Sequence, residues 1–186
     1  MEFVGIIGDR GSGKTNLMTK LLYLHHLSGE NIIANYTLHF PANLMSFTEV
    51  AKLGPEIQSA YIGLDELSEG ADSYEFFEKN VRRVTRLISQ IRKRECRVYY
   101  TDQRLNKIAK RLRQQTDGFI LMRDLDKGKA GHNFDNCESV FECTFLTDTL
   151  AVVKTVLFNG KDSQHLYNSK EIITGFDTPV LTETES

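Results

Sequence analysis

Gly8-Asp9-Arg10-Gly11-Ser12-Gly13-Lys14-Thr15 keeps the spacing G-x-x-x-x-G-K-[ST], a pattern able to cradle the phosphates of a nucleotide. Its glycines permit positive φ and let backbone approach an anion closely, so that consecutive N–H groups turn inward. A helix beginning at the lysine adds the partial positive charge of its N-terminus. Lys14 is then placed to reach the β- and γ-phosphates of ATP, and the Thr15 hydroxyl to bind Mg²⁺. The plainer reading is a glycine-rich turn before an ordinary helix. It leaves the lysine–threonine pair at this spacing without a reason.

A second pair of candidates narrows the chemistry. Asp65-Glu66 closes the apolar run Ala60-Tyr61-Ile62-Gly63-Leu64. Parallel α/β sheets bind ligands outside the carboxyl ends of their strands, so these acids belong on the same edge as the phosphate loop. There Asp65 can hold Mg²⁺, and Glu66 can polarise the water that attacks a γ-phosphate. A kinase must instead keep water from the phosphate it transfers, which makes a small-molecule kinase the weaker alternative. A GTPase is disfavoured because the chain has no N-K-x-D motif and no glycine three residues after Asp65. Gln103 follows another strand-like run, and its amide can contact the γ-phosphate or the attacking water.

These residues need a scaffold, and the patterning supplies one. Phe3–Ile7 reads as a buried strand, and the segment from the loop to about Ser28 as a helix stopped by Gly29. Asn31–Asn35 is a second strand. Ser46-Phe47-Thr48-Glu49 has capping-box spacing and should open a short helix ending at Gly54-Pro55. The run before Asp65 is a third strand, followed by a long helix from near Ser73 to about Arg94. Arg97–Thr101 is a strand, Leu105–Gln114 a basic helix, and Phe119–Met122 a fifth strand. Alternation of this kind implies an α/β fold with a mostly parallel sheet flanked by helices. Ser139–Leu146 and Leu150–Phe158 then read as a β-hairpin turning at Thr147-Asp148-Thr149. One ATPase domain over 1–186 is expected: a core at 1–123, a loop at 124–136, a β extension at 137–177 and a polar tail at 178–186.

Composition excludes more than it identifies. Of 186 residues, 40% are hydrophobic and 26% charged, as in an ordinary globular chain. No run of eighteen apolar residues and no basic-then-apolar leader occurs, so neither a membrane span nor a secretory signal is expected. Cys96, Cys137 and Cys143 form no C-x-x-C pair, which argues against a disulfide framework or zinc site and for a reducing, cytoplasmic setting. A net charge of −2 does not announce a nucleic-acid binder. Yet twelve of the 23 Lys and Arg residues lie between Arg82 and Arg113, against only Glu95 and Asp102.

The phosphate loop, the Asp65-Glu66 pair and the segment Ile91-Arg92-Lys93-Arg94-Glu95-Cys96-Arg97-Val98-Tyr99-Tyr100-Thr101-Asp102-Gln103-Arg104 together resemble the FtsK–HerA superfamily of DNA-pumping ATPases. Size and layout are most similar to compact viral genome-packaging ATPases and to the zonula-occludens-toxin-like morphogenesis ATPases of filamentous phages. The resemblance covers roughly Phe3 to Met122. Many members carry Thr immediately before the glutamine, where this chain has Asp102. The resemblance implies an additional-strand, RecA-like P-loop fold in which the Gln103 strand lies between those of Walker A (Gly8–Thr15) and Walker B (Asp65-Glu66). It further implies a ring, usually a hexamer, with ATP between subunits. A neighbour's arginine would act there in trans, Arg92 by first choice and Arg94 by second.

Double-stranded DNA is the cargo this resemblance suggests, a viral or plasmid genome being packaged. Arg104, Lys107 and Arg111 share a helix face and can grip phosphates without reading sequence. Lys127 and Lys129 can enter a central pore from a Gly-flanked loop. Solvated charge is the plainer reading of both clusters. The competing function is virion morphogenesis or extrusion, with a capsid or membrane-vertex protein as partner.

Overall fold

The structure is a computed structural model. It describes residues 2–50, 52–53, 57–67, 92–106, 108, 110–127 and 139–168. The backbone alone is described at Arg92 and Arg111.

Eight strands form one sheet. In chain order they are β1 (Phe3–Ile7), β2 (Asn31–Ala34), β3 (Asn43–Leu44), β4 (Ala60–Leu64), β5 (Arg97–Asp102), β6 (Gly118–Asp124), β7 (Val140–Thr147) and β8 (Val152–Asn159). Their order across the sheet is β3-β2-β4-β5-β1-β6-β7-β8. From β3 to β6 neighbouring strands are parallel, whereas β7 pairs antiparallel with β6 and β8 with β7. β5 therefore lies between β1 and β4, with Ile6 opposite Thr101 and Leu64 opposite Tyr100. That is the placement the resemblance implied.

Every residue of β1 and of β4 is buried, as a parallel strand covered on both faces must be. Alternate side chains feed two cores. On one face Phe3, Ile7, Ile62, Leu64, Val98, Tyr100 and Phe119 pack with Phe47, Ile108 and Leu112. On the other, Val4, Ile6, Ile32, Tyr61, Ile120 and Met122 pack under Leu17, Met18 and Leu22 of helix α1 (Lys14–Leu27). Helix α1 ends where Gly29 takes φ 82, a left-handed value that the expected stop requires. The capping box also forms. Ser46 N–H donates to Glu49 Oε2 at 2.7 Å, Glu49 N–H to Ser46 Oγ at 3.3 Å, and α2 (Phe47–Val50) follows.

The basic helix is shorter than its apolar spacing suggests. Leu105–Asn106 form a turn, Ile108 sits in a bend, and α3 spans only Lys110–Gln115. After β5 the chain first turns at Leu105–Asn106, which delays the helix. Ile108 and Leu112 are nonetheless buried and Leu105 packs partly buried against them, as their spacing predicted; Ala109 lies outside the described residues. β6 runs two residues past Met122, so the expected loop begins after Asp124. The hairpin forms with a register shift between Phe145 and Leu146 and extends the sheet on the β6 side. The expected long helix from 73 lies outside the described residues except at Arg92–Arg94, a single turn of 3₁₀ helix.

Candidate nucleotide-binding site

The phosphate loop connects β1 to α1 at the carboxyl edge of the sheet. Gly11 and Gly13 have φ of 77 and 78, values that a side chain would strain. A Cβ on Gly8 would come within 2.5 Å of both the Met122 carbonyl and Ser12 Oγ, so the loop can close only around a glycine there. Ser12 is buried, and among the described residues its hydroxyl has no hydrogen-bond partner. A buried donor inside a ring of glycine backbone is what an anion-binding loop should contain. Asp9 and Arg10 stand exposed at the rim.

Two elements bring the acids to this loop. Asp65 lies just past β4, held by the Asn35 side chain, which accepts from its N–H at 2.7 Å and donates to its carbonyl at 3.1 Å. The Thr15 hydroxyl lies 3.0 Å from each Asp65 carboxylate oxygen, although 50 residues separate them. Hydroxyl and carboxylate oxygens side by side are hard donors of the kind that suit Mg²⁺. Asp65 is buried, and burial raises its pKa against the opposing bonds from Thr101 and Thr15 and the charge of Lys14. Glu66 takes φ 52, and its N–H donates to Thr101 Oγ1 at 2.8 Å.

Lys14 Nζ donates to the Asp9 carbonyl at 3.0 Å. Burial lowers its pKa, outweighing the attraction of Asp65, Glu66, Asp102 and Asp9. The sign gives a testable consequence. As pH rises, Lys14 discharges before an ordinary lysine at 10.5 would. Affinity for a polyphosphate should accordingly weaken in the alkaline range ahead of that value. Fold stability should rise across the same window, because the folded chain binds fewer protons there. Nucleotide titrations at stepped pH, beside melting curves, read both.

Gln103 follows β5 half-buried at the same edge, its N–H bound to Asp102 Oδ1 at 2.7 Å. The Asp102 carbonyl accepts the Gly8 N–H at 3.3 Å, which ties β5 to the phosphate loop. Lys127 also comes here: its ammonium lies 3.7 Å from Asp9 Oδ2, both side chains exposed. Arg104 is exposed beside Gln103 and precedes α3, so it does not share a helix face with Arg111 as the spacing suggested: the chain turns at Leu105–Asn106 before the helix begins. Lys107 and Lys129 lie outside the described residues. Arg92 and Arg94 are at the opposite end. They precede β5, about 20 Å away along its six residues at the usual rise. The Arg94 guanidinium donates to the Leu53 carbonyl at 3.1 Å.

Three contributors have no signal in the sequence. Thr101 and Asn35 fix the acids, and the segment after β8 fixes the helix. Asn16, wholly buried, donates to the Gly160 carbonyl at 3.0 Å and accepts from Ser163 Oγ. Phe141 of β7 packs its ring where a Gly13 Cβ would stand, 2.7 Å away. The hairpin and its return therefore brace the phosphate loop. Asn16→Ala should cost about 1–3 kcal/mol by orphaning Gly160 and Ser163, read by chemical denaturation.

Strand order and loop together define a P-loop ATPase fold. The chain is similar in fold to the N-terminal domain of zonular occludens toxin from Neisseria meningitidis, with TM-score 0.61 and 14% identity over 90% of this chain and 100% of that one. It is likewise similar to the genome packaging NTPase B204 of Sulfolobus turreted icosahedral virus 2, solved with AMP, at TM-score 0.51, 9% identity and coverage of 82% and 95%. A third likeness is to a DnaB-like replicative helicase, at TM-score 0.52 and 12% identity. It takes in 84% of this chain and 54% of the helicase, so this chain spans about half of that longer protein. No family model matches the chain, and no curated protein matches it in sequence. Among the described residues no helix is long and apolar enough to cross a membrane.

Proposed function

We propose that this chain is an ATP-hydrolysing motor that moves double-stranded DNA, most simply in packaging a viral or plasmid genome. One observation carries the enzymatic half: Thr15, Asp65 and Lys14 converge on a glycine loop that a Cβ would block. In this reading the loop N–H groups and Lys14 hold the phosphates of ATP, while Thr15 and Asp65 hold Mg²⁺. Mg²⁺ held there would supply positive charge to offset that developing on the phosphates. Glu66 accepts a proton from the attacking water, and Gln103 orients that water or the γ-phosphate. Arg92 precedes β5, away from its own site, and in this reading serves a neighbouring subunit's site. That position agrees with a head-to-tail ring, taken here as a hexamer working in the cytoplasm.

The DNA half rests on different observations. They are the FtsK–HerA-like segment, the fold likeness to a genome packaging NTPase, and exposed Arg104 next to α3. In this reading Arg104, Lys107 and Arg111 grip the duplex backbone. Lys127 and Lys129 would add further phosphate contacts. The single-domain division at 1–186 belongs to the same reading. A morphogenesis or extrusion ATPase is the second candidate. It is favoured by the whole length of the zonular occludens toxin domain falling within the likeness. Its partner would be a capsid or membrane-vertex protein. Phosphate release measured with and without duplex DNA at low salt separates the two. Stimulation supports the DNA motor; unchanged turnover removes duplex DNA as cargo and leaves the extrusion reading.

A further inference from the structure

We infer that Thr101 is the residue that positions both carboxylates of the proposed ATPase site, an assignment that rests on the ATP-hydrolysing reading above. Thr101 is fully buried near the end of β5, on the strand between the phosphate-loop strand and the acid-bearing strand. Its hydroxyl proton is committed to Asp65 Oδ1 at 2.5 Å. Its oxygen accepts the Glu66 N–H at 2.8 Å. The Thr101 carbonyl accepts the Leu67 N–H at 3.1 Å. One residue therefore grips three consecutive positions of the turn that leaves β4.

Each bond has a separate geometric effect. The donated proton fixes one carboxylate oxygen of Asp65, so the second can be aligned with Thr15, which lies 3.0 Å from both. The accepted N–H holds Glu66 at φ 52, a left-handed conformation that a glutamate otherwise avoids. Without it the turn can relax and carry the Glu66 side chain away from the γ-phosphate position. Serine preserves both bonds. Valine has nearly the same shape and preserves neither. Thr101 touches no reacting atom; it acts through Asp65 and Glu66.

The test compares Thr101→Val and Thr101→Ser with the unaltered chain, using a fluorescent ATP analogue in EDTA and in Mg²⁺, together with steady-state turnover. Affinity in EDTA should be unchanged in both variants, because the phosphate loop is intact. For valine, the gain in affinity on adding Mg²⁺ should fall about 10- to 100-fold, the worth of one hydrogen bond to a charged group. Its kcat should fall at least as far, and serine should restore both. A valine variant with the unaltered chain's Mg²⁺ gain and kcat overturns the assignment. Should valine fail to fold by circular dichroism, Thr101→Cys replaces it, being similar in size but a poor donor. The same losses are expected there, and their absence overturns the assignment equally. An unaltered chain that shows no Mg²⁺ gain at all overturns the ATPase reading itself, which is a different result.

Discussion

Glu66→Gln should lower ATP turnover by about 10²–10⁴-fold while ATP and Mg²⁺ still bind. Glutamine keeps the size and polarity of the side chain, and Thr101 still holds the residue's N–H, so the φ 52 turn should survive. What it loses is the ability to take a proton. Glu66 is half-buried two residues past the end of β4, at the sheet edge that carries the phosphate loop. Single-turnover phosphate release separates chemistry from binding. Turnover within about tenfold of normal would be too small a loss for a general base and would take Glu66 out of that role.

Arg92→Ala should cost about 10³–10⁵-fold in ring-dependent hydrolysis, the range found where an arginine is supplied in trans to a GTPase. ATP binding to each subunit should persist, because Arg92 sits at the amino end of β5, at the far edge of its own sheet. Mixed assemblies give the sharper readout. A subunit carrying Arg92→Ala keeps Glu66, and a neighbour carrying Glu66→Gln keeps Arg92. Where the two meet in the right order, one complete site is restored. Activity in the mixture of two inactive variants supports action in trans; no recovery leaves Arg92 without that role. Arg94 should behave differently, since its guanidinium already bonds the Leu53 carbonyl at 3.1 Å. Its loss should be felt in stability before activity.

How far the residues alone could carry this depends on the range of each interaction. β1, the phosphate loop and α1 were legible because apolar periodicity and glycine placement are local signals. So were Gly29 and the Ser46–Glu49 box, each confined to one turn of chain. The position of β5 between β1 and β4 has no local signature, and only a resemblance in the Arg97–Gln103 segment pointed to it. The α3 boundary failed because Leu105, Ile108 and Leu112 are spaced for a helix, yet the chain must first turn at the sheet edge. Thr101, Asn35 and Asn16 went unseen for another reason. Their partners lie 36, 30 and 144 residues away, and nothing in a window of sequence marks a threonine as gripping an aspartate on the next strand. Nor was it visible that the hairpin would reach back to the phosphate loop through Phe141 and Gly160.

The most direct measurement is the affinity of this chain for ATP with and without Mg²⁺, alongside Lys14→Ala and Asp65→Asn. Saturable binding strengthened by the metal is expected in the unaltered chain. Lys14→Ala should bind weakly in either condition, and Asp65→Asn should bind but gain nothing from Mg²⁺. Binding indifferent to both substitutions, or no binding at all, would contradict a nucleotide site built from the Gly8–Thr15 loop and the acid that Thr15 faces.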